Sequence, residues 1–330
     1  MKKRAALALS LLVVVIAVAN LFPSHAQKTA GAGQTDIGNG APPLANPLKV
    51  ALLKWYKANE VPTTFPVGRL PYGVAFDGEN IWTANNGDNT VSKVRASDGA
   101  LLGTFPGGNS PYGVTYDGAN MWISALGGTV MKLRGSDGKN LGTFTVGQFA
   151  TWMTFDGANI WIPNGTNVVT KLRASDGKNL GNFTVGLSPM AVAFDGENLW
   201  VTNSGDGTVS KVRGSDGTVL GTFTVGSRPL GIAFDGTSMW VANRYSGTVS
   251  KLRVTDGTVL GTFNAPGEPY GVAFDGVNIW VTGAPYVFEF RAADGKQLGQ
   301  WTPPTPTSGI AFDGANIWVS LTDLNYVGKL

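Results

Sequence analysis

The chain has 330 residues, with 25 Lys and Arg against 22 Asp and Glu, one histidine and no cysteine, for a formal charge of +3. Lys2, Lys3 and Arg4 account for that excess, so the remainder is formally neutral and the pI of about 9.0 implies no nucleic-acid or anionic-membrane partner. The lack of cysteine excludes disulfides and thiolate catalysis, so the fold must be held by its packed core.

Residues 1–26 read as an export signal: Lys2, Lys3 and Arg4 lead an apolar run to about Phe22, and Ser24-His25-Ala26 forms a small-x-small cleavage site. Cleavage is expected after Ala26; retention would leave a membrane anchor, the one circumstance in which a membrane partner is expected. The expected location is therefore periplasmic, secreted or cell-surface. Cleavage also removes His25, the only histidine. The mature chain then lacks the means for Ser-His-Asp catalysis, a usual zinc site or covalent haem attachment. Residues 27–47, rich in Gly, Ala and Pro, read as a flexible linker. Residues 48–57, LKVALLKWYK, are apolar enough for a strand or a short capping helix, and they open the predicted folded domain, residues 48–330.

From about Pro71 onward the chain repeats itself. Phe/Tyr-Asp-Gly occurs seven times, starting at Phe76, Tyr116, Phe155, Phe194, Phe234, Phe274 and Phe312, and a tryptophan follows six residues after each, from Trp82 to Trp318. A period near 40 residues signals a propeller or a solenoid. In the copy at 188–226, four runs rich in β-branched and aromatic residues (191–194, 198–202, 208–213 and 220–225) are separated by glycine-bearing turns. Four antiparallel strands per copy predict an all-β, seven-bladed β-propeller; no copy has the 3.6-residue period of a helical solenoid. Runs such as Asn-Ile-Trp-Val are apolar without alternation, as in strands covered on both faces by neighbouring blades. The seven tryptophans are accordingly read as inter-blade packing, with carbohydrate stacking as the alternative.

Asp-Gly-x-x-Leu-Gly introduces a fourth strand at Asp98, Asp137, Asp176, Asp216, Asp256 and Asp294, six times against seven first hairpins. Thr63-Thr64-Phe65-Pro66-Val67-Gly68 matches the missing outer strand, so the N-terminal segment is expected to complete the last blade and close the ring. Third strands carry Lys-x-Arg in five copies, with Glu289 and Arg291 in the sixth; these read as solvated outer strands with local ion pairs.

Function is expected where the copies differ. In a propeller the two Asp-Gly hairpins of each blade share one face, and here they hardly change. The second-to-third strand turns and the inter-blade connections share the other face, and these vary. Candidate ligand-binding residues on that face are Tyr72, Tyr112, Trp152, Arg228, Asn243, Arg244, Tyr245 and Tyr270, with Phe149 and Met190 on the same connections. Trp152 stands where the other copies have Gly, or Ala191. It would narrow the central funnel, offer a stacking surface, or fill space left by a shorter connection. Asn243 belongs with Asn85, Asn164 and Asn203 to a set three residues after the tryptophan, read either as a ligand-binding ring or as turn residues bonding their own backbone. Asp88, Asp206, Glu268 and Asp323 are the carboxylates that a Mg²⁺ or Ca²⁺ ion would use, the only cofactor considered; no metal residue is assigned.

The repeated Pro-x-Gly-Val-Ala-Phe-Asp-Gly-x-Asn-Ile-Trp-Val-x-Asn, as at residues 71–85 and 229–243, resembles the NHL/YVTN class of propellers and the virginiamycin B (streptogramin) lyase-like group over residues 63–330. The resemblance implies the propeller fold. In the lyase a catalytic histidine and a magnesium ion on the top face open a cyclic peptide; this chain has no histidine at any propeller position, so the base is not carried over. A gluconolactonase-like Glu, Asn and Asp metal set cannot be placed either. The expected function is that of an exported, monomeric, non-catalytic propeller that binds a ligand or partner protein through its variable top face. The alternatives are a metal-assisted lyase or lactonase-like hydrolase working through Tyr and carboxylates, and a cell-surface scaffold with no small ligand.

Overall fold

The computed structural model describes residues 63–330. The expected export signal, linker and 48–57 segment lie outside the described residues. Within them the chain forms seven four-stranded antiparallel sheets, and the sole helical element is a single 3-10 turn at Thr322–Leu324. Blade 1 runs from the inside out as Pro71–Phe76, Asn80–Asn85, Thr90–Arg95 and Leu101–Pro106, and blades 2 to 6 follow in chain order with the same meander. In the copy used to predict the strands, blade 4, the observed elements are Pro189–Phe194, Asn198–Asn203, Thr208–Arg213 and Val219–Thr224.

Blade 7 is assembled from both ends of the described chain. Thr307–Phe312, Ile317–Leu321 and Tyr326–Lys329 are its first three strands, and Thr64–Pro66 takes the outer place, with Thr64 opposite Gly328 and Pro66 opposite Tyr326. The ring closes as the strand count predicts. Phe65 is buried there and packs its ring on Trp318 at 5.4 Å.

Each Asp-Gly hairpin and its tryptophan form one unit. Asp77 Oδ1 accepts the amides of Glu79 and Asn80 at 2.9 and 2.7 Å, which turns the hairpin, while Oδ2 accepts the Trp82 indole N–H at 2.7 Å. The same Asp–Trp bond recurs in all seven blades at 2.6 to 2.8 Å. A buried indole N–H without a partner would cost about 1–3 kcal/mol, so this bond is what lets the ring enter the core. Six of the seven rings are fully buried and Trp280 is half-buried. Trp82 packs on Val114, Met121 and Ile123 of the next blade and on Phe105 of its own outer strand. Burying about 150–250 Å² of ring is worth about 4–6 kcal/mol per site, far more than the about 0–1 kcal/mol of an exposed ion pair. Inter-blade packing is therefore the role of these tryptophans.

The Lys-x-Arg reading needs correction for its first member. The arginines do form exposed local pairs, as Arg95 with Asp98 at 2.8 Å and Arg213 with Asp216 at 2.9 Å. The lysines turn inward instead, because each stands directly across from the tryptophan in the sheet register, as Lys93 does from Trp82. Lys93, Lys132, Lys171 and Lys251 are buried, their ammonium groups 4.7 to 5.2 Å above the indole of the same blade. Each then donates to a backbone carbonyl of the following blade, as Lys93 to Gly135 at 2.6 Å and Lys132 to Ala174 at 2.7 Å. Lys329 does the same to Ala96 at 3.4 Å and so ties blade 7 to blade 1. In blade 6 Glu289 stands opposite Trp280 instead, and accepts from the Asn278 amide at 2.7 Å.

The outer strands lock in a similar way. A Cβ on Gly138 would come within 2.2 Å of the Phe105 ring of the preceding blade, at a residue that also needs φ of +71°. Only glycine satisfies both demands there.

Candidate functional site

The inner strands crowd around the axis. A Cβ on Gly73 would lie 2.4 Å from the Tyr112 carbonyl of blade 2, and one on Gly309 would lie 2.0 Å from the Tyr72 carbonyl of blade 1. Blade 3 has Trp152 at the corresponding position. Its inner strand is accordingly reduced to Thr154–Phe155, and Trp152 keeps a single bridge to Ala191, its N–H donating to the Met190 carbonyl at 3.2 Å.

The indole reaches over the axis and meets aromatic rings from other blades. Tyr72 stacks on Tyr112 at 5.0 Å, Tyr112 lies against Trp152 at 5.0 Å, and Trp152 meets Tyr270 edge-on at 5.0 Å. The Tyr112 and Tyr270 hydroxyls share a hydrogen bond. Of the three roles open for Trp152, the geometry contains two: it narrows the funnel and it is part of an aromatic bridge across it. The cavity below the bridge, lined by Trp152, Val74, Val192, Ile232, Val272 and Ile310, holds about 130 Å³. That is too little for a drug-sized ligand, which fills about 300–1,000 Å³.

The bridge continues into blade 5 as a cation–aromatic ladder. The Arg244 guanidinium lies 5.6 Å from the Tyr270 ring and 5.8 Å from that of Tyr245, and Arg228 lies 4.8 Å from the Tyr245 ring. Arg228 Nη1 also donates to the Tyr245 hydroxyl at 2.6 Å. Arg244 Nε donates to Glu268 at 3.0 Å. Partial burial opposes the charge on Arg244, but the Glu268 carboxylate outweighs it and holds the guanidinium above its ordinary pKa. Burial, joined by the neighbouring phenols, pushes Tyr112 well above the usual value, and burial raises Tyr270 as well. Both phenols remain protonated at neutral pH and act as hydrogen-bonding groups, not as bases.

Seven of the eight candidate residues are thus joined in one network. Asn243 is the exception. It is fully buried, and its amide donates to the hydroxyls of Thr248 and Ser250 at 3.2 and 2.9 Å. Asn85 and Asn203 make the same bonds to their own third strands, so these three brace the hairpin through hydroxyls, while Asn164 donates both to the Thr170 hydroxyl at 2.7 Å and to the nearby backbone carbonyl of Ile162 at 3.1 Å.

The bridge divides the top face in two. On one side Tyr72, Arg244, Glu268, Tyr270 and Asp323 line a pocket of about 210 Å³. On the other side a groove of about 500 Å³ runs across blades 2 to 5, lined by Tyr112, Leu126, Phe149, Met190, Ser188, Ser204 and Arg228, among others. The carboxylates considered for a cation are engaged singly: Asp88 accepts the Arg69 amide at 2.6 Å, Asp206 accepts the Leu187 amide at 2.5 Å, and Asp323 accepts from Thr305 at 3.1 Å. No three of the acidic or histidine side chains converge among the described residues.

Of the groove lining, the sequence pointed to Tyr112, Phe149, Met190 and Arg228, but not to Leu126, Ser188 and Ser204 nor to the backbone that shapes it. Leu70, Ser110, Phe149, Ser188 and Arg228 occupy equivalent places before the inner strands, and all have left-handed φ between 50° and 58°. Such residues cost about 1–3 kcal/mol each and need support from their surroundings. The support is a pair of carbonyls aimed at the adjoining turn, as Leu70 and Arg69 accept the amides of Asn86 and Gly87, each at 3.0 Å. Four of the five precede proline, a context that favours extended backbone, so no sequence signal pointed to them.

A comparison with protein-family models and one with curated proteins each return no match. The fold defines the chain as a seven-bladed β-propeller, with a non-repeating aromatic and arginine-bearing mouth on one face.

Proposed function

We propose that this chain is an exported, non-catalytic propeller that binds a ligand through its variable top face, acting as a monomer. The observation that carries the reading is the convergence of Tyr72, Tyr112, Trp152, Tyr270, Arg244, Tyr245 and Arg228 into one network from five blades, beside a groove of ligand size. Repeated blades have no packing need for such a departure from the repeat, and aromatic and arginine side chains are the usual anchors of recognition. Export rests on the signal-like residues 1–26, and kinship with NHL/YVTN and virginiamycin B lyase-like propellers on the Pro-x-Gly-Val-Ala-Phe-Asp-Gly repeats. The protonated phenols and the separately engaged carboxylates favour binding over Tyr- or metal-based catalysis.

The test is a thermal-shift screen of the mature chain against sugars, peptides, lactones and small organic acids, with and without Mg²⁺ or Ca²⁺. A ligand at 100 times its Kd stabilises the folded state by about 2.7 kcal/mol. A shift lost on alanine substitution of Tyr72, Trp152, Arg228, Tyr245 or Tyr270 is the expected result; one indifferent to all five would move the site off this face. A shift that appears only with the cation, together with chelator-sensitive turnover, would favour the enzyme reading.

A further inference from the structure

The groove carries a single charge. Arg228 is exposed at one end of it, and none of the ion pairs among the described residues includes it. Its neighbour Arg244 is neutralised by Glu268, so the two arginines of the ladder differ in kind. Arg228 is also held in place: the Tyr245 ring lies against its guanidinium, the Tyr245 hydroxyl accepts from Nη1, and its backbone is fixed at φ 52° before the buried Pro229. A guanidinium has five N–H donors, and this one gives a single bond to protein. The rest of the groove is apolar and hydroxylic: Phe149 is 61% exposed, Tyr112, Leu126 and Met190 supply further apolar wall, and Ser188 and Ser204 line the near side.

We infer that the groove takes a small amphiphilic anion, an organic acid whose apolar body lies on Phe149, Leu126 and Met190 while its carboxylate pairs with Arg228. This rests on the reading of the top face as a binding face and narrows it to one half of that face and one chemical class. A carboxylate matches the free fork of Arg228, a planar bidentate acceptor for a planar donor. A cation finds no carboxylate in the groove lining, and a neutral body leaves the guanidinium without a partner. The cation is pre-positioned, so little side-chain freedom is lost when the acid binds.

The experiment is calorimetric titration of the mature chain with 4-phenylbutyrate and with its neutral counterpart 4-phenylbutan-1-ol, on wild type, Arg228→Gln, Phe149→Ser and Arg244→Gln. Expected are binding of the acid in preference to the alcohol, a loss of about tenfold or more in Arg228→Gln as for a charge-assisted bond, a comparable loss in Phe149→Ser, weakening with added salt, and a smaller effect in Arg244→Gln. Equal binding of acid and alcohol, or an Arg228→Gln variant that binds the acid as wild type does, overturns the anion assignment. If Phe149→Ser still weakens binding in that case, the face remains a binding face with a neutral ligand. No binding of either probe to the wild type also overturns the inference, and the screen described above then decides separately whether the face binds anything. All three variants alter groups at the exposed or partly exposed mouth, and a melting temperature for each checks that the fold is kept.

Discussion

The two faces of the ring are built by opposite rules. On the hairpin side the blades repeat one set of bonds: Asp to indole in all seven, and in all but blade 6 a lysine over the indole to the next blade's carbonyl and an outer phenylalanine against the next blade's glycine. On the other side five blades contribute side chains outside the repeat, a tyrosine from blades 1, 2 and 6, an indole from blade 3, and two arginines and a tyrosine from blade 5. Repetition concentrates stability on one side and leaves the other free to vary, so the two can be perturbed separately.

Acid should strike the repetitive side hardest. Burial alone would raise the carboxyls of Asp77, Asp117, Asp156, Asp235 and Asp313, but the indole and amide donors outweigh it and hold all five below 3.8. The outer-hairpin aspartates are lowered as well, first by a backbone amide, and Asp216 falls to about 2. A depressed folded-state pKa gives stability that is present above the unfolded value and lost as pH falls through the folded one. The melting temperature should therefore hold down to about pH 4 and fall steeply toward about pH 2. A melting temperature flat across that window would refute the role given to these carboxylates.

Among single changes, Trp200→Ala should be the most damaging. The ring is fully buried, bonded to Asp195 at 2.8 Å and stacked on Phe223 at 5.7 Å. A loss of about 3–5 kcal/mol in urea unfolding is expected, with the Asp195 carboxylate left without its indole. Lys132→Met keeps most of the stem packing but removes the cation over Trp122 and the donor to Ala174, for a loss of about 2 kcal/mol. Were that lysine a solvated belt residue, the change would be within about 0.5 kcal/mol.

Glu289 offers a smaller and opposite effect. Burial, then the Asp275 charge, raises its pKa against the pull of the Asn278 amide. A raised carboxyl disfavours the ionised form in the fold, so its contribution is present below the unfolded value and lost as pH rises through the folded one. Glu289→Gln should accordingly raise the melting temperature slightly at neutral pH and leave it unchanged at about pH 4. Smallest of all, Tyr245→Ala on the variable face should alter stability by within about 0.5 kcal/mol, since the ring is 61% exposed, while weakening ligand binding through Arg228.

How far the sequence could be read follows the same division. The seven-fold Phe-Asp-Gly spacing and the unmatched Thr63-Thr64-Phe65 were enough for the blades and for the closure, because strand count and turn chemistry are local signals that the repeat amplifies. The lysines were misread because their acceptors lie 41 to 43 residues away, in the following blade. Local charge alternation suggested solvent, whereas the register opposite the tryptophan determined the outcome. Tyr72, Tyr112, Trp152 and Tyr270 were legible as departures from the repeat. Their contact across the axis was not, since it depends on the carbonyl crowding that excludes a Cβ at Gly73 and Gly309 and pushes blade 3 open at Trp152. The left-handed residues that shape the groove were hidden by prolines that favour the opposite conformation.

The outer strand Thr64–Pro66 has a bearing on how such a ring can change size. The sequence repeat begins inside blade 7 and not between blades, so the copying frame and the blade frame are offset by one strand. Insertion or loss of a whole unit of about 40 residues anywhere between Pro71 and Phe263 would leave Phe65 and Tyr326–Lys329 still seeking each other. The seam is indifferent to how many copies it encloses, which makes blade number a property of the gene's repeat history that the closing strand accepts without redesign.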